Sequence, residues 1–179
     1  MEKKVLKFIT VDHFEKEEIY LEQMAKKGWH FTKFEKLHYH FESGEPEDVT
    51  YQIDYHSTGE GDKEDYIQLF EDSGWTSVFA YPTFDGEWFY FKRQTPSDRL
   101  TKIYSDNDSK IDLFKKIRKI WGTFGSIMGF IFLLIVLVNS LIVENSILTY
   151  IMLIIFAFVA VLYIKMVLNL TRKIHHLQN

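Results

Sequence analysis

The chain has 179 residues, no cysteine, a formal net charge of −4 and an aromatic fraction of 17%. Without cysteine there is no disulfide framework and no thiol chemistry, which fits a reducing cytosol. The charge is divided: residues 1–98 hold 11 Lys and Arg against 21 Asp and Glu, and residues 99–179 hold 10 against 4. The first part therefore lacks the basic face that nucleic acid requires, and the second is suited to an anionic membrane surface.

In chain order, residues 4–11 read as a strand, and Val5–Val11 is too short for a signal-peptide core and carries Lys7. A helix is expected from Phe14 to Lys27, with Asp12 or His13 at its cap. Glu15, Glu17 and Glu18 fall in its first turns, where the helix dipole favours carboxylates, and Gly28 stops it. Trp29–Lys36 and Leu37–Phe41 read as strands, ended by the turn Ser43-Gly44-Glu45-Pro46. The pattern then recurs: strand Val49–Ser57, helix from Asp62 or Lys63 to Ser73, Gly74, strand Trp75–Tyr81, turn Pro82–Gly86 and strand Glu87–Arg93. Tyr20-Leu21, Met24 and Gly28-Trp29 match Tyr66-Ile67, Phe70 and Gly74-Trp75 at a constant offset of 46. Residues 1–97 thus read as an α+β domain of two strand-helix-strand-strand units, about 1–46 and 47–97. Its expected form is a mostly antiparallel curved sheet or barrel with both helices outside.

Residues 98–120 read as a polar linker followed by a basic amphipathic helix lying in the membrane interface, with Ser109 at its cap and Ile111, Phe114, Ile117 and Trp121 on one face. Residues 121–170 hold two apolar runs, Gly122–Val143 and Ile147–Leu162, joined at Glu144-Asn145-Ser146. Each approaches or exceeds the roughly 17–25 residues that span a hydrocarbon core, so a transmembrane hairpin is expected, with residues 171–179 as a tail. Lys110, Lys115, Lys116, Arg118 and Lys119 precede it and Lys165, Arg172 and Lys173 follow, while the connection carries only Glu144. This bias places both termini in the cytoplasm of a multi-pass inner-membrane protein. Gly125 and Gly129 have the spacing of close helix packing, either within the hairpin or in a homodimer.

Chemistry is sparse. His38 and His40 share a strand face, but two imidazoles fall short of a zinc site, and no further cluster has ligand spacing. No nucleophile elbow, phosphate-binding glycine loop, metalloprotease helix or kinase signature is present, so no enzyme, metal or cofactor is expected. Asp54 stands out. On its strand Tyr51, Ile53 and Tyr55 form one face and Gln52, Asp54 and His56 the other. If the helices cover the first face, Asp54 points into the concave side, near a neighbouring strand on which Trp88 and Tyr90 share a face. A carboxylate among aromatic rings suits a cation. Trp29 and Trp75 would be walls of such a site, although each glycine-tryptophan pair is first a helix stop and a strand anchor.

Tyr51-x-Ile53-Asp54, Phe70-Glu71-Asp72-x-Gly74-Trp75 and Ile103-Tyr104-Ser105-Asp106, followed by a basic helix and two spans, resemble a bacterial family catalogued as domain of unknown function 2812. The likeness covers nearly the whole chain and implies no activity and no site residues. Its members stand beside small winged-helix repressors of the PadR type, which implies a regulated membrane or envelope role. The repeated unit is similar, in topology alone, to the gyrase-inhibitor-like effector-binding domains, which implies a concave aromatic pocket for amphipathic cations around an acidic residue. The expected function is a membrane-anchored, non-enzymatic regulatory or sensory protein that binds a small amphipathic or cationic ligand. The alternative is a membrane-tethered interaction module or accessory subunit for a transporter or cytosolic regulator.

Overall fold

The computed structural model describes residues 1–57, 59, 61–83, 85–94, 107–142 and 147–178. The chain divides into two compact units, Met1–Ser105 and Asp106–Asn179, and each is treated by itself. The motif Ile103–Asp106, the domain end at Thr95–Ser97 and the connection Glu144–Ser146 lie outside the described residues, as does the side chain of Ser109.

In the first unit the order is β1 (Glu2–Leu6), α1 (Phe14–Ala25), β2 (Trp29–Glu35), β3 (His38–Ser43), β4 (Val49–Ser57), α2 (Lys63–Asp72), β5 (Thr76–Pro82) and β6 (Gly86–Gln94). The strands form two antiparallel three-stranded sheets, ordered β1-β3-β2 and β4-β6-β5. Both helices stop at a glycine in the left-handed region, Gly28 at φ 75° and Gly74 at φ 80°, where a Cβ would crowd the backbone. The strand after each glycine breaks register once, between Phe31 and Lys33 and between Ser77 and Phe79. These breaks are also 46 residues apart. Asp62 caps α2 by accepting from Glu64 N at 3.0 Å.

Two local details depart from expectation. Strand β1 ends at Leu6, where its partner β3 begins at His38, so residues 7–11 have no ladder to join. Leu37 belongs to a two-residue turn rather than to β3, with Lys36 at φ 49° and Leu37 at φ 65°. Left-handed backbone costs an L-residue roughly 1–2 kcal/mol.

The two helices do not share a side of the second sheet: α1 reaches its Tyr90 face and α2 its Asp54 face. Tyr20 of α1 packs edge-on against Tyr39 and Phe41 of β3, with centroids 5.5 and 6.0 Å away. Tyr66 of α2 meets Phe89 of β6 at 5.2 Å, and Phe70 stacks on Phe91 at 3.9 Å. Helix α2 thus covers one face of the second sheet. Helix α1 contacts β2 of the first sheet and also β4 of the second. Its Glu18 Oε1 accepts from Ile53 N at 2.9 Å and its Glu22 Oε1 from Tyr51 N at 3.3 Å. The other face of the second sheet meets β2, where Phe31 lies 5.9 Å from Phe79 and 5.1 Å from Tyr90. Being covered on both faces, β4 has buried residues at successive positions from Tyr51 to His56. Strand β3 keeps the alternation of a sheet with one wet face.

The second unit is a pair of long helices, α3 (Asn107–Ile142) and α4 (Ile147–Gln178). Both contain stretches long and apolar enough to cross a membrane, with mean hydropathies of 2.2 and 2.8. At 1.5 Å per residue, α3 is about 54 Å long, well beyond a hydrocarbon core of about 30 Å. The basic segment is continuous with the span in one helix: α3 runs unbroken from Asn107 to Ile142, through Gly122, Gly125 and Gly129 and with no proline. It is therefore not a separate helix lying flat on the interface. Phe132 stacks on Phe156 at 3.9 Å, Trp121 lies 6.4 Å from Tyr163, and Arg118 Nη1 donates to Thr171 Oγ1 at 3.4 Å. Phe130, Leu133 and Ile154 are more than 60% exposed, an outward apolar surface that water would penalise and lipid would not. A methyl at Gly125 would collide with the Tyr163 ring, whereas Gly129 has open space around it. Gly125 is used inside the hairpin.

Candidate ligand site

The register decides which residues share a face. Asp54 is opposite Phe89, Ile53 opposite Tyr90, and Tyr55 opposite Trp88, and directly opposed residues point the same way. Asp54 therefore lies on one face with Phe89, and Trp88 and Tyr90 lie on the other with Tyr55 and Ile53. Helix α2 covers the Asp54 face. Asp54 Oδ2 accepts from the Tyr66 hydroxyl at 2.7 Å and Oδ1 from Tyr55 N at 2.7 Å. Trp75 is on the α2 side too, buried with Phe70, Phe89 and Phe91, and the Arg93 guanidinium sits 4.5 Å above its ring. Trp88 packs on Tyr55 at 5.1 Å. Trp29 is in the first sheet, with Lys3 Nζ 5.0 Å from its ring. The five residues singled out in the sequence occupy three places and do not converge. The premise that the helices cover the Tyr51 face is what fails, since α2 covers the opposite one.

A different carboxylate stands among the rings on the Tyr90 face. Glu17, in the first turn of α1, is 8% exposed. The Tyr90 hydroxyl donates to its Oε1 at 2.8 Å, and the Tyr39 hydroxyl also bonds to it. Tyr81 lies beside Tyr90, with centroids 6.3 Å apart, and Phe31 and Phe79 complete the surroundings. Both halves contribute: Glu17, Phe31 and Tyr39 come from the first, and Phe79, Tyr81 and Tyr90 from the second.

The electrostatics follow from this burial. Loss of water pushes the Glu17 carboxyl above its ordinary range, and the hydroxyls of Tyr90 and Tyr39 hold it partly back. Tyr39, Tyr81 and Tyr90 are all pushed up, first by burial and then by the negative charge of Glu17. Their hydroxyls stay protonated at neutral pH and serve as donors. Tyr51, whose hydroxyl accepts from the Phe31 amide, is pushed up to about 12 by burial. The arrangement offers one negative group within an aromatic wall and hydroxyls that can exchange partners. A carboxylate among ring faces is the chemistry that a cation recognises.

The sequence does mark Glu17. Phe14, Glu17, Glu18, Leu21, Met24 and Ala25 are the buried residues of α1, and they recur at the spacing of a helical core stripe. Two acids on that stripe signal buried carboxylates; the helix-dipole reading of the same residues hid them. Elsewhere, an open recess of about 350 Å³ lies on the outer face of the first sheet, lined by charged residues including Lys4, Lys33, His40 and Glu42. Glu17 is not part of its lining. Among the described residues no group of three or more His, Asp and Glu could hold a metal ion.

A family model described as "Protein of unknown function (DUF2812)" matches residues 13–125, from just before α1 into α3. No curated protein and no solved structure matches the chain.

Proposed function

The chain belongs to the DUF2812 family, whose description assigns no activity, and from its own geometry we propose a membrane-anchored, non-enzymatic regulatory or sensory protein that binds a small amphipathic cation at Glu17. The observation that carries this reading is the Glu17 carboxylate, buried and ringed by Tyr39, Tyr81 and Tyr90. A buried charge is costly unless something offsets it. Tyrosine hydroxyls do so here, and a cation would do so more strongly. On this reading the two halves are a tandem duplication whose matching strand orders bring one aromatic set from each half around a single acid. The hairpin holds the domain at the bacterial cytoplasmic membrane. Lys110–Lys119 of α3 and Arg172 and Lys173 of α4 lie at one end of the helix pair, as the Arg118–Thr171 bond supports, and that end faces the cytoplasm.

The test is a thermal-shift series on the full chain in mild detergent, titrated with tetraphenylphosphonium and with a neutral aromatic amphiphile of similar size. The expected result is a saturable rise with the cation, about 2.7 kcal/mol at a hundredfold excess over Kd. The rise should be absent with the neutral compound and in Glu17→Gln. An equal response of Glu17→Gln and the parent would refute the site.

A further inference from the structure

The turn joining β2 to β3 is built against local preference. A two-residue hairpin turn with positive φ at both positions ordinarily takes Asn-Gly, Asp-Gly or Gly-Gly. Here the positions are Lys36 at φ 49° and Leu37 at φ 65°. The turn thus holds a cationic and an apolar side chain where smaller residues would sit without strain. Leu37 is 51% exposed. The end of β1 lies alongside: Leu6 pairs with His38, and Lys7 N donates to the Leu37 carbonyl at 3.4 Å. Leu6 is 68% and Phe8 75% exposed. Three large apolar side chains therefore stand out at one end of the first sheet.

The charge around them runs opposite to the rest of residues 1–98. Across residues 6–8 and 33–38 the ionised groups are Lys7, Lys33, Lys36 and Glu35. Lys33 and Lys36 both approach Glu35, at 3.0 and 3.9 Å, while the Lys7 amine lies 3.6 Å from the Tyr20 ring centroid. A cationic rim around exposed Leu and Phe matches the interfacial layer of an anionic bilayer, which takes apolar groups into the acyl boundary and cations among the phosphates. The same chain has two helices long and apolar enough to cross a membrane.

We infer that Leu6, Phe8 and Leu37, with Lys7 and Lys36, form a foot that inserts into the anionic membrane interface. This inference rests on the membrane reading above, and the experiment separates the two. The chain has no cysteine, so single cysteines carry a polarity-sensitive nitrobenzoxadiazole probe without background. Full-length Phe8→Cys, Leu37→Cys, Glu45→Cys and Leu133→Cys proteins are reconstituted into vesicles of phosphatidylcholine, with and without phosphatidylglycerol, and quenched by nitroxide lipids. With phosphatidylglycerol the probes at 8, 37 and 133 should be blue-shifted and quenched, and the probe at 45 should not. Charge reversal by Lys36→Glu should lower the inserted fraction's equilibrium at position 8 by about fivefold or more. Quenching at 133 with none at 8 and 37 overturns the foot and leaves the membrane anchor standing. A blue shift at 8 and 37 without lipid quenching also overturns it, because another protein surface then covers the residues. No quenching at 133 removes the anchor and the foot together.

Discussion

Glu17 and Tyr90 allow a prediction with both a magnitude and a sign. The Tyr90 hydroxyl donates to an otherwise buried carboxylate at 2.8 Å. A hydrogen bond to a charged group contributes about 1.5–3 kcal/mol, against about 0.5–1.5 for a neutral one. Tyr90→Phe should therefore destabilise the parent by about 1.5–3 kcal/mol at a pH where Glu17 is ionised, and by about 1 kcal/mol less in a Glu17→Gln background. For a domain of this size each kcal/mol moves the Tm by about 4–8 °C. The pH dependence follows from the raised carboxyl. The folded chain keeps the Glu17 proton at pH values where the unfolded chain has lost it. That contribution is fully present below the ordinary value of 4.5, falls as pH rises through the higher folded value, and is flat beyond it. Each unit of difference amounts to about 1.4 kcal/mol. The assay is tryptophan-detected thermal unfolding of the full chain in detergent across this range, since Trp29, Trp75 and Trp88 report on the first unit. Glu17→Gln should remove this part of the slope. An unchanged slope in Glu17→Gln, or an equal cost of Tyr90→Phe in both backgrounds, would refute the reasoning.

Three further outcomes are expected. Gly28→Ala should lower the urea midpoint more than Gly74→Ala. Both place a Cβ at positive φ, costing about 1–2 kcal/mol, but at Gly28 it would also lie 2.6 Å from the Gly44 carbonyl oxygen, whereas at Gly74 the nearest neighbour is Arg93 Cδ at 3.8 Å. Asp54→Ala should cost about 1–3 kcal/mol in the same measurement, because it removes the carboxylate that accepts from the Tyr66 hydroxyl and the Tyr55 amide. The cation response should survive in that variant. Gly125→Leu should lower the detergent stability of the helix pair by wedging it against Tyr163, and Gly129→Leu should not, since its surroundings are open. Crosslinking of a dimer that Gly129→Leu abolishes would assign that glycine to a contact between copies.

Much of the architecture was legible because it is written in local signals. Helices α1 and α2 each stop at a glycine followed by tryptophan, strands β2 to β6 are rich in aromatic and β-branched residues, and α3 and α4 each hold a long apolar run. What the sequence hid is the destination of surfaces. Strand β4 alternates in polarity, yet both of its faces are buried, because Gln52, Asp54 and His56 lie beneath α2 rather than in water. Alternation tells two faces apart but does not say which one a helix will cover, and the choice of Asp54 turned on that. Helix α1 posed the opposite problem. Its periodicity included Glu17 and Glu18 in the buried stripe, but a carboxylate is ordinarily read as solvated, and its partners lie far off, Tyr90 being 73 residues away. The basic segment of α3 read correctly as helix. Its continuity with the span did not show, because a change in composition looks like a boundary even where the backbone continues.

On the proposed membrane-anchored reading, the carboxylates of α1 also bear on how copies of this protein share a bilayer. Anchored chains are confined to two dimensions, where collisions are frequent and an open strand edge invites pairing between molecules. Strand β4 pairs with β6 on one side only, and on the other its amides at Tyr51, Ile53 and Tyr55 are taken by Glu22, Glu18 and Asp54. An incoming strand would have to displace three acids from donors they already hold. Strands β2 and β5 lie beside each other, and the remaining edge, β1, is five residues long and carries Lys3 and Lys4. A crowded bilayer surface can therefore hold many copies without their sheets fusing, because α1 occupies one side of β4 as a neighbouring strand otherwise would.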